Sequence, residues 1–235
     1  MTVSSQTPPP LAPDLHFDPQ WIVYEDDWLL AVNKPSGLLS VPGRYRPQSH
    51  CMSGQLAAHR PNIYTIHRLD MDTSGLMLFA KDPQTQKAMH RAFSERQVQK
   101  TYQAWCFGLP TQMQGTLQCP QRCDWPHRPK QIIDFRQGKT TFTHWQVTET
   151  ASLNPQTHVF RVTLQPHTGR SHQLRLQMKT LGHPILGDNL YAPLSIQKMS
   201  DRLQLHAWQL SFTHPITQAR CDWVQPPPPF IPKTP

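Results

Sequence analysis

The longest uninterrupted apolar runs in this chain are five residues, Trp28 to Val32 and Leu76 to Ala80. A helix that crosses a bilayer needs roughly 20 such residues, so no segment suits a helical membrane span. Runs this short, bounded by turn formers, suit strands instead. Leu76 to Ala80 reads as a buried strand. Trp21-Ile22-Val23-Tyr24 and Leu29-Leu30-Ala31-Val32 flank Glu25-Asp26-Asp27 and read as a hairpin. Thr101 to Phe107, Thr140 to Thr148 and Val159 to Leu164 are rich in β-branched and aromatic residues and read as further strands. Leu203 to Phe212 reads as the last strand. Helical signals are fewer. Asp82-Pro83 pairs an N-cap with a proline at the first helical position and opens a helix through about Arg96. Leu174, Met178 and Leu181 share one helical face, and Gly182 ends that helix. Strands outnumber helices, and most connections are too short for helical crossovers. The expectation is an α+β fold on a mixed, mainly antiparallel sheet.

The 235 residues show no internal repeat and no long linker, which favours one folded body over residues 21–224. Proline crowds both ends: Pro8, Pro9, Pro10, Pro13 and Pro19 before it, Pro226 to Pro229, Pro232 and Pro235 after it. Proline fixes its own φ and lacks an amide donor, so residues 1–20 and 225–235 are expected to be extended or disordered. The N-terminus has neither a basic start nor an apolar stretch, unlike a secretory signal. Five cysteines, an odd number, fit reduced thiols in a cytoplasm rather than a disulfide framework. Lys plus Arg total 23 against 15 Asp plus Glu, a net charge of +8. An excess of this size is consistent with a nucleic-acid partner and equally with a merely basic surface.

Three stretches are rich in reactive or recognising side chains. Ile66-His67-Arg68-Leu69-Asp70-Met71-Asp72-Thr73-Ser74-Gly75 sets a possible nucleophile or base, Asp70, beside a possible phosphate or base contact, Arg68. A solvated charged turn would look much the same. Thr168-Gly169-Arg170-Ser171-His172-Gln173-Leu174-Arg175 puts arginine at the start of a helix, where the dipole opposes it, so its presence there wants a reason. Lys100-Thr101-Tyr102 offers a flat ring for stacking and a hydroxyl for proton transfer, although most strand tyrosines only pack. Other chemistries find little support. Cys119 and Cys123 near His127 have no second matched pair for zinc. There is no GxGxxG, Walker A or G-x-S-x-G pattern.

These residues bear a family resemblance. His67-Arg68-Leu69-Asp70, Thr73-Ser74-Gly75-Leu76 and Ala80-Lys81 resemble the signature of the RluA-type pseudouridine synthases. Asn33-Lys34-Pro35-Ser36-Gly37-Leu38, Lys100-Thr101-Tyr102, Gly169 to Arg175, Gly182-His183-Pro184-Ile185-Leu186-Gly187-Asp188 and Leu205-His206-Ala207 follow in family order over about residues 21–215. Val41-Pro42-Gly43-Arg44 and Cys123-Asp124-Trp125-Pro126-His127-Arg128-Pro129-Lys130-Gln131 are similar to the compact, dual-specificity subgroup.

The resemblance implies the pseudouridine synthase fold, with a cleft through the middle of the sheet. It implies isomerisation of uridine to pseudouridine after base flipping, with no metal or organic cofactor. It makes Asp70 the essential carboxylate, Arg170 its ion-pair partner, and Tyr102 the ring that stacks on uracil and a candidate acid/base. Arg68 would fill the space the flipped base leaves, and Leu174 would form the pocket's apolar floor. Lys34, Arg44, Lys100, Arg128 and Lys130 would contribute to RNA binding, each with the alternative of a solvated surface cation. Asp72 is expected to diverge from Asp70. The subgroup's substrates are uridines at position 32 of the tRNA anticodon loop and position 746 of 23S rRNA. The alternatives are another large-subunit rRNA uridine, or a non-catalytic RNA-binding protein. A cytoplasmic monomer with no obligate protein partner is the default.

Overall fold

The computed structural model of the protein describes residues 15–43, 46–231 and 233. Eleven strands form one sheet: β1 (Ile22–Glu25), β2 (Leu29–Lys34), β3 (Tyr64–Thr65), β4 (Ser74–Ala80), β5 (Gln99–Phe107), β6 (Gln114–Cys123), β7 (Gln131–Ile133), β8 (Lys139–Asn154), β9 (Thr157–Pro166), β10 (Leu205–Thr213) and β11 (Arg220–Val224). Four helices accompany them: α1 (Met52–His59), α2 (Pro83–Ser94), α3 (Gln173–Thr180) and α4 (Leu194–Gln197). The strand order is β1-β2-β4-β10-β5-β9-β8-β6-β7, with β3 also on β4 and β11 also on β10. Among the described strands only β4 and β10 run parallel, so the sheet is mixed and mainly antiparallel, as expected.

The local signals act as the sequence indicates. The Asp26 carboxylate accepts the Trp28 and Leu29 amides and closes the β1–β2 hairpin. Asp82 accepts the Gln84 and Thr85 amides, and Pro83 begins α2. Every residue of β4 is buried, because both of its faces are covered. Leu76, Leu78 and Ala80 point to a cluster under α2 with Met89 and Phe93, whereas Met77 and Phe79 point to a cluster under α1 with Met52 and Leu56. A third cluster joins β5, β8 and β9 to α3 through Ala104, Trp145, Phe160, Leu164, Leu174 and Met178.

Along the main strand order the β4–β10 seam is the narrowest joint. Only His206–Ser74 and Ala207–Gly75 are in register there. Gly75 has φ +113°, and a Cβ on it would come within 2.3 Å of the Ala207 carbonyl oxygen. Only glycine permits that approach.

Six elements were not foreseen: α1, β3, β6, β7, α4 and β11. The β6 sequence is polar and holds both Gly115 and Pro120, yet it pairs with β8 over eight residues. Pairing rather than propensity makes it a strand. The described parts of the termini pack on the folded body. Leu15 and Phe17 pack on the α1-side cluster, and Gln55 donates its side-chain amide to the Leu15 carbonyl. Past β11, the Gln225 amide bonds to the Trp208 carbonyl, and the Phe230 ring lies 5.7 Å from that of Trp105. Proline withdraws an amide from the ladder, but its neighbours still bury apolar surface. Residues 1–14 lie outside the described residues. No helix among the described residues is long and apolar enough to cross a membrane.

Candidate active site

The segment leading into β4 is held backbone atom by backbone atom. The Ile66 amide bonds to the Leu78 carbonyl, and the Leu78 amide donates to Nε2 of His67 at 3.0 Å. The His67 ring also stacks on Phe93 at 4.8 Å. Burial, aided by the charge of Lys100, pushes the His67 pKa down to about 3, so this imidazole is a neutral acceptor. On the next turn Ser40 grips Leu69 twice: Ser40 Oγ accepts the Leu69 amide and donates to the Leu69 carbonyl. The Met71 carbonyl accepts both the Gly37 amide and Lys34 Nζ, each at 2.9 Å, and the Asp72 carbonyl accepts Ser36 Oγ at 2.6 Å. The peptide chain on both sides of Asp70 is therefore fixed by residues 34–40. The Asp70 carboxylate itself is half-buried and forms no hydrogen bond or ion pair with any described residue.

Two of the side chains expected here do meet. Tyr102, on β5, packs between the α3-side and α1-side clusters. Burial and then the charge of Asp70 drive its phenol pKa well above the ordinary value, so Tyr102 is a neutral phenol. Leu174 is buried in the α3-side cluster against which Tyr102 packs.

Of the two arginines in this motif, Arg175 is the one paired with carboxylates, those of Asp188 and Asp72, and the expected Arg170–Asp70 pair is not formed among the described residues. Arg170 is exposed and makes no ion pair among the described residues. Arg175 is buried and donates from Nε and Nη2 to the two Asp188 oxygens at 2.9 and 2.6 Å. Nη2 also donates to Asn189 Oδ1 at 2.9 Å, and Nη1 lies 3.6 Å from Asp72 Oδ2. Burial opposes the Arg175 charge, but Asp188, then Asp72 and Asp70, hold it firmly protonated. Gln173 and Gln177 set the rotation of α3 by bonding to Thr143 and Thr141 of β8 beneath the helix. With those residues facing the sheet, Arg175 points along it toward Asp72 and Asp188. Asp72 thus turns to Arg175.

Comparisons with known proteins show the family. Residues 28–180 match the model of a family described as RNA pseudouridylate synthase. The chain belongs to that family. The dual-specificity RNA pseudouridine synthase RluA of Vibrio cholerae serotype O1 is 46% identical over 204 residues, covering 87% of this chain and 80% of the relative. The protein of that name from Escherichia coli K12 is 44% identical over 194 residues, covering 83% and 87%. The solved structure of human RNA pseudouridylate synthase domain containing 1 superposes with a TM-score of 0.74 at 30% identity, covering 88% of this chain and 83% of the other. The protein is thus an RNA pseudouridine synthase, an enzyme that makes pseudouridine in RNA.

The synthase's remaining site residues divide by exposure. Lys34, expected to meet RNA, is fully buried, and its Nζ donates to the carbonyls of Pro35, Leu38 and Met71. Burial pushes its pKa down to about 7 against the pull of Asp72 and Asp70. With every ammonium proton engaged, it is an internal clamp rather than a phosphate contact. Lys100 is more than half-buried, and its Nζ lies 3.8 Å from where a Gly169 Cβ would stand. Burial, then Arg96, lowers its pKa. Arg68, Arg128 and Lys130 are exposed, and Arg128 lies over the exposed Trp125 ring at 4.7 Å. Arg44 lies outside the described residues. Cys119 and Cys123 lie four residues apart on β6, a spacing of about 13 Å along a strand, too far to share one ion. No cluster of three or more His, Cys, Asp or Glu able to hold a metal occurs among the described residues.

Proposed function

We propose that this synthase isomerises the uridine at position 32 of the tRNA anticodon loop and that at position 746 of 23S rRNA, with Asp70 as its catalytic carboxylate. The observation that carries the residue assignment is the unpartnered Asp70 carboxylate on a loop whose backbone is clamped on both sides. A rigid loop with a free functional group is preorganised for chemistry. The dual targets are supported by relatives at 44% and 46% identity that bear the dual-specificity name.

A uracil inside a loop cannot be reoriented while stacked, so the nucleotide leaves the stack first. Arg68, exposed two residues before Asp70, takes the space it vacates. The uracil then lies on Tyr102, with Leu174 below. Asp70 acts on the ribose or the base to release the glycosidic bond, the detached uracil turns so that C5 bonds to the ribose, and C5 then gives up its proton while N1 gains one. Because Tyr102 is held as a neutral phenol, it serves this sequence by stacking and by proton donation, not as a phenolate base. Arg175 provides the fixed positive charge behind the carboxylates. Arg128, Lys130 and Arg170 present exposed cations to the RNA backbone, with Lys100 behind the Gly169 turn. The reading is of a monomer, and an RNA substrate of this kind supports the cytoplasm as its place of action.

The test is tritium release from 5-³H-uridine in a tRNA anticodon stem-loop and in a 23S rRNA fragment, wild type against Asp70→Asn. Release from both RNAs by wild type alone is expected. Release from neither would overturn the targets and point to another large-subunit uridine. Release by Asp70→Asn near the wild-type rate would remove the carboxylate from the reaction.

A further inference from the structure

His172 begins α3 with φ 55°, a left-handed conformation that few residues other than glycine adopt. Its side chain explains what that conformation achieves. Nδ1 lies 2.9 Å from the Tyr191 hydroxyl, and that hydroxyl accepts the Gln131 backbone amide at 2.7 Å. A phenol has a single proton. Gln131 already donates to the Tyr191 oxygen, so the arrangement that uses the phenol proton within this group sends it to His172 Nδ1. His172 Nδ1 is then an acceptor, and the neutral ring keeps its proton on Nε2.

The surroundings favour that neutral ring. Burial lowers the His172 pKa, and Arg175 lowers it further, against the pull of Asp70 first and then of Asp188 and Asp72. Asp70 is thus the charge that acts on it most. No described residue accepts a hydrogen bond from Nε2. The site therefore contains a fixed, unused donor next to the carboxylate, on a ring locked by a second side chain.

We propose that His172 Nε2–H holds the uracil by a carbonyl oxygen, and that Tyr191 is the positioning residue that keeps the proton on that nitrogen. Uracil suits such a donor. Its two carbonyls flank N3 symmetrically, so the half-turn that replaces N1 by C5 also exchanges O2 and O4. A donor aimed at one carbonyl before the turn meets the other after it. One hydrogen bond can then guide the free base at both ends of its rotation, which a donor matched to a single edge cannot do. Gln131 begins β7 directly after the exposed Trp125–Lys130 turn, so the same hydroxyl also ties the donor to the surface that faces RNA.

The inference rests on the pseudouridine synthase reading, and the experiment separates the two. The first measurement needs no turnover: ¹⁵N spectra of histidine-labelled enzyme at neutral pH. His172 should show a proton on Nε2 in wild type and a mixture of tautomers in Tyr191→Phe. A proton on Nδ1 in wild type would overturn the proposal. The second is a double-mutant cycle on single-turnover rate, with RNA affinity measured alongside. Tyr191→Phe should slow the step about tenfold, roughly the worth of one hydrogen bond, with RNA affinity unchanged. His172→Gln offers an amide donor that has no tautomer, so adding Tyr191→Phe to it should cost almost nothing. Equal costs in the two backgrounds, or no cost in the first, would refute the proposal, because a merely structural hydroxyl is lost equally in both. A wild-type enzyme that releases no tritium would defeat the functional reading while the spectra still report the tautomer.

Discussion

Replacing Arg175 by methionine tests which arginine serves the site. The side chain is unbranched and apolar and fills most of the space of the Arg175 stem, so the main loss is the charged guanidinium. Arg175 and Asp188 are each 1% exposed at the side chain. Removing one partner of a buried pair strands the other charge, at a cost of about 3 to 5 kcal/mol. Asp188 Oδ1 still accepts the Leu190 and Tyr191 amides, which places the expected loss near the lower end of that range. For a domain of this size a loss of about 3 kcal/mol lowers Tm by roughly 6 to 12 °C. Asp72 and Asp70 also lose the cation behind them, and a charge-assisted interaction of about 2 to 3 kcal/mol corresponds to a rate loss near a hundredfold. Arg170→Ala should behave oppositely. Its guanidinium is exposed, so Tm should hold within about 1 to 2 °C while RNA affinity falls and its salt slope becomes shallower by about one. Thermal melts, single-turnover rates and binding at several salt concentrations measure all three quantities. If Arg170→Ala costs the rate and stability while Arg175→Met costs neither, the placement of Arg175 at the centre of the site is wrong.

Other consequences are open to simple assays. His67 and His206 are buried as neutral rings, with burial pushing their pKa values to about 3 and about 4. Between the unfolded value of about 6.5 and those values the unfolded chain binds more protons, so their stabilisation is complete above about pH 6.5 and is lost as pH falls below it. At pH 5 each should cost about 2 kcal/mol, and a urea midpoint that stays flat from pH 7 to 5 would refute the burial argument. RNA affinity should fall steeply between ~50 and ~200 mM salt, and a flat response would count against phosphate contacts by Arg68, Arg128 and Lys130. Tyr102→Phe should still bind RNA but turn over more slowly, and an unchanged rate would confine Tyr102 to stacking. Ending the chain at Gln225 removes Phe230 from Trp105 and should lower stability by about 1 to 3 kcal/mol, which chemical denaturation would detect.

What was legible in the sequence was mostly local. The Asp26 turn, the Asp82-Pro83 cap and the two-sided burial of Leu76 to Ala80 each depend on a few adjacent residues, and each is realised. What was obscure depends on partners distant in sequence. Strand β6 exists because β8 pairs with it. Lys34 resembles any surface lysine until three carbonyls, one of them 37 residues away, are seen to enclose it. Arg170 and Arg175 stand in one motif, and spacing alone does not tell them apart. One signal was present: Arg175 lies three residues before Met178 and one after Leu174, beside the buried stripe of its helix, whereas Arg170 precedes the helix altogether. A cation at the margin of a buried stripe needs an acid, and Asp188 provides it.

The place of the site follows from the narrowest joint along the main strand order. One half is β1, β2, β3 and β4 with α1 and α2; the other is β5 to β9 with α3. They meet across β10, and β10 touches β4 through two residue pairs only. The two pairs are the first residues of β4, so the loop carrying Asp70 enters beside that short joint, and the two strands part beyond it. Tyr102 reaches it from the other side, opposite Ala207 in the β10–β5 ladder. Each half brings its own rigid support: residues 34–40 hold the Asp70 loop, and β8 holds the helix bearing Arg175. Gly75 keeps the two halves in contact, since any side chain there would push against the Ala207 backbone. A carboxylate and a phenol drawn from different halves can face one another across a gap without either half deforming, and a flipped base needs such a gap.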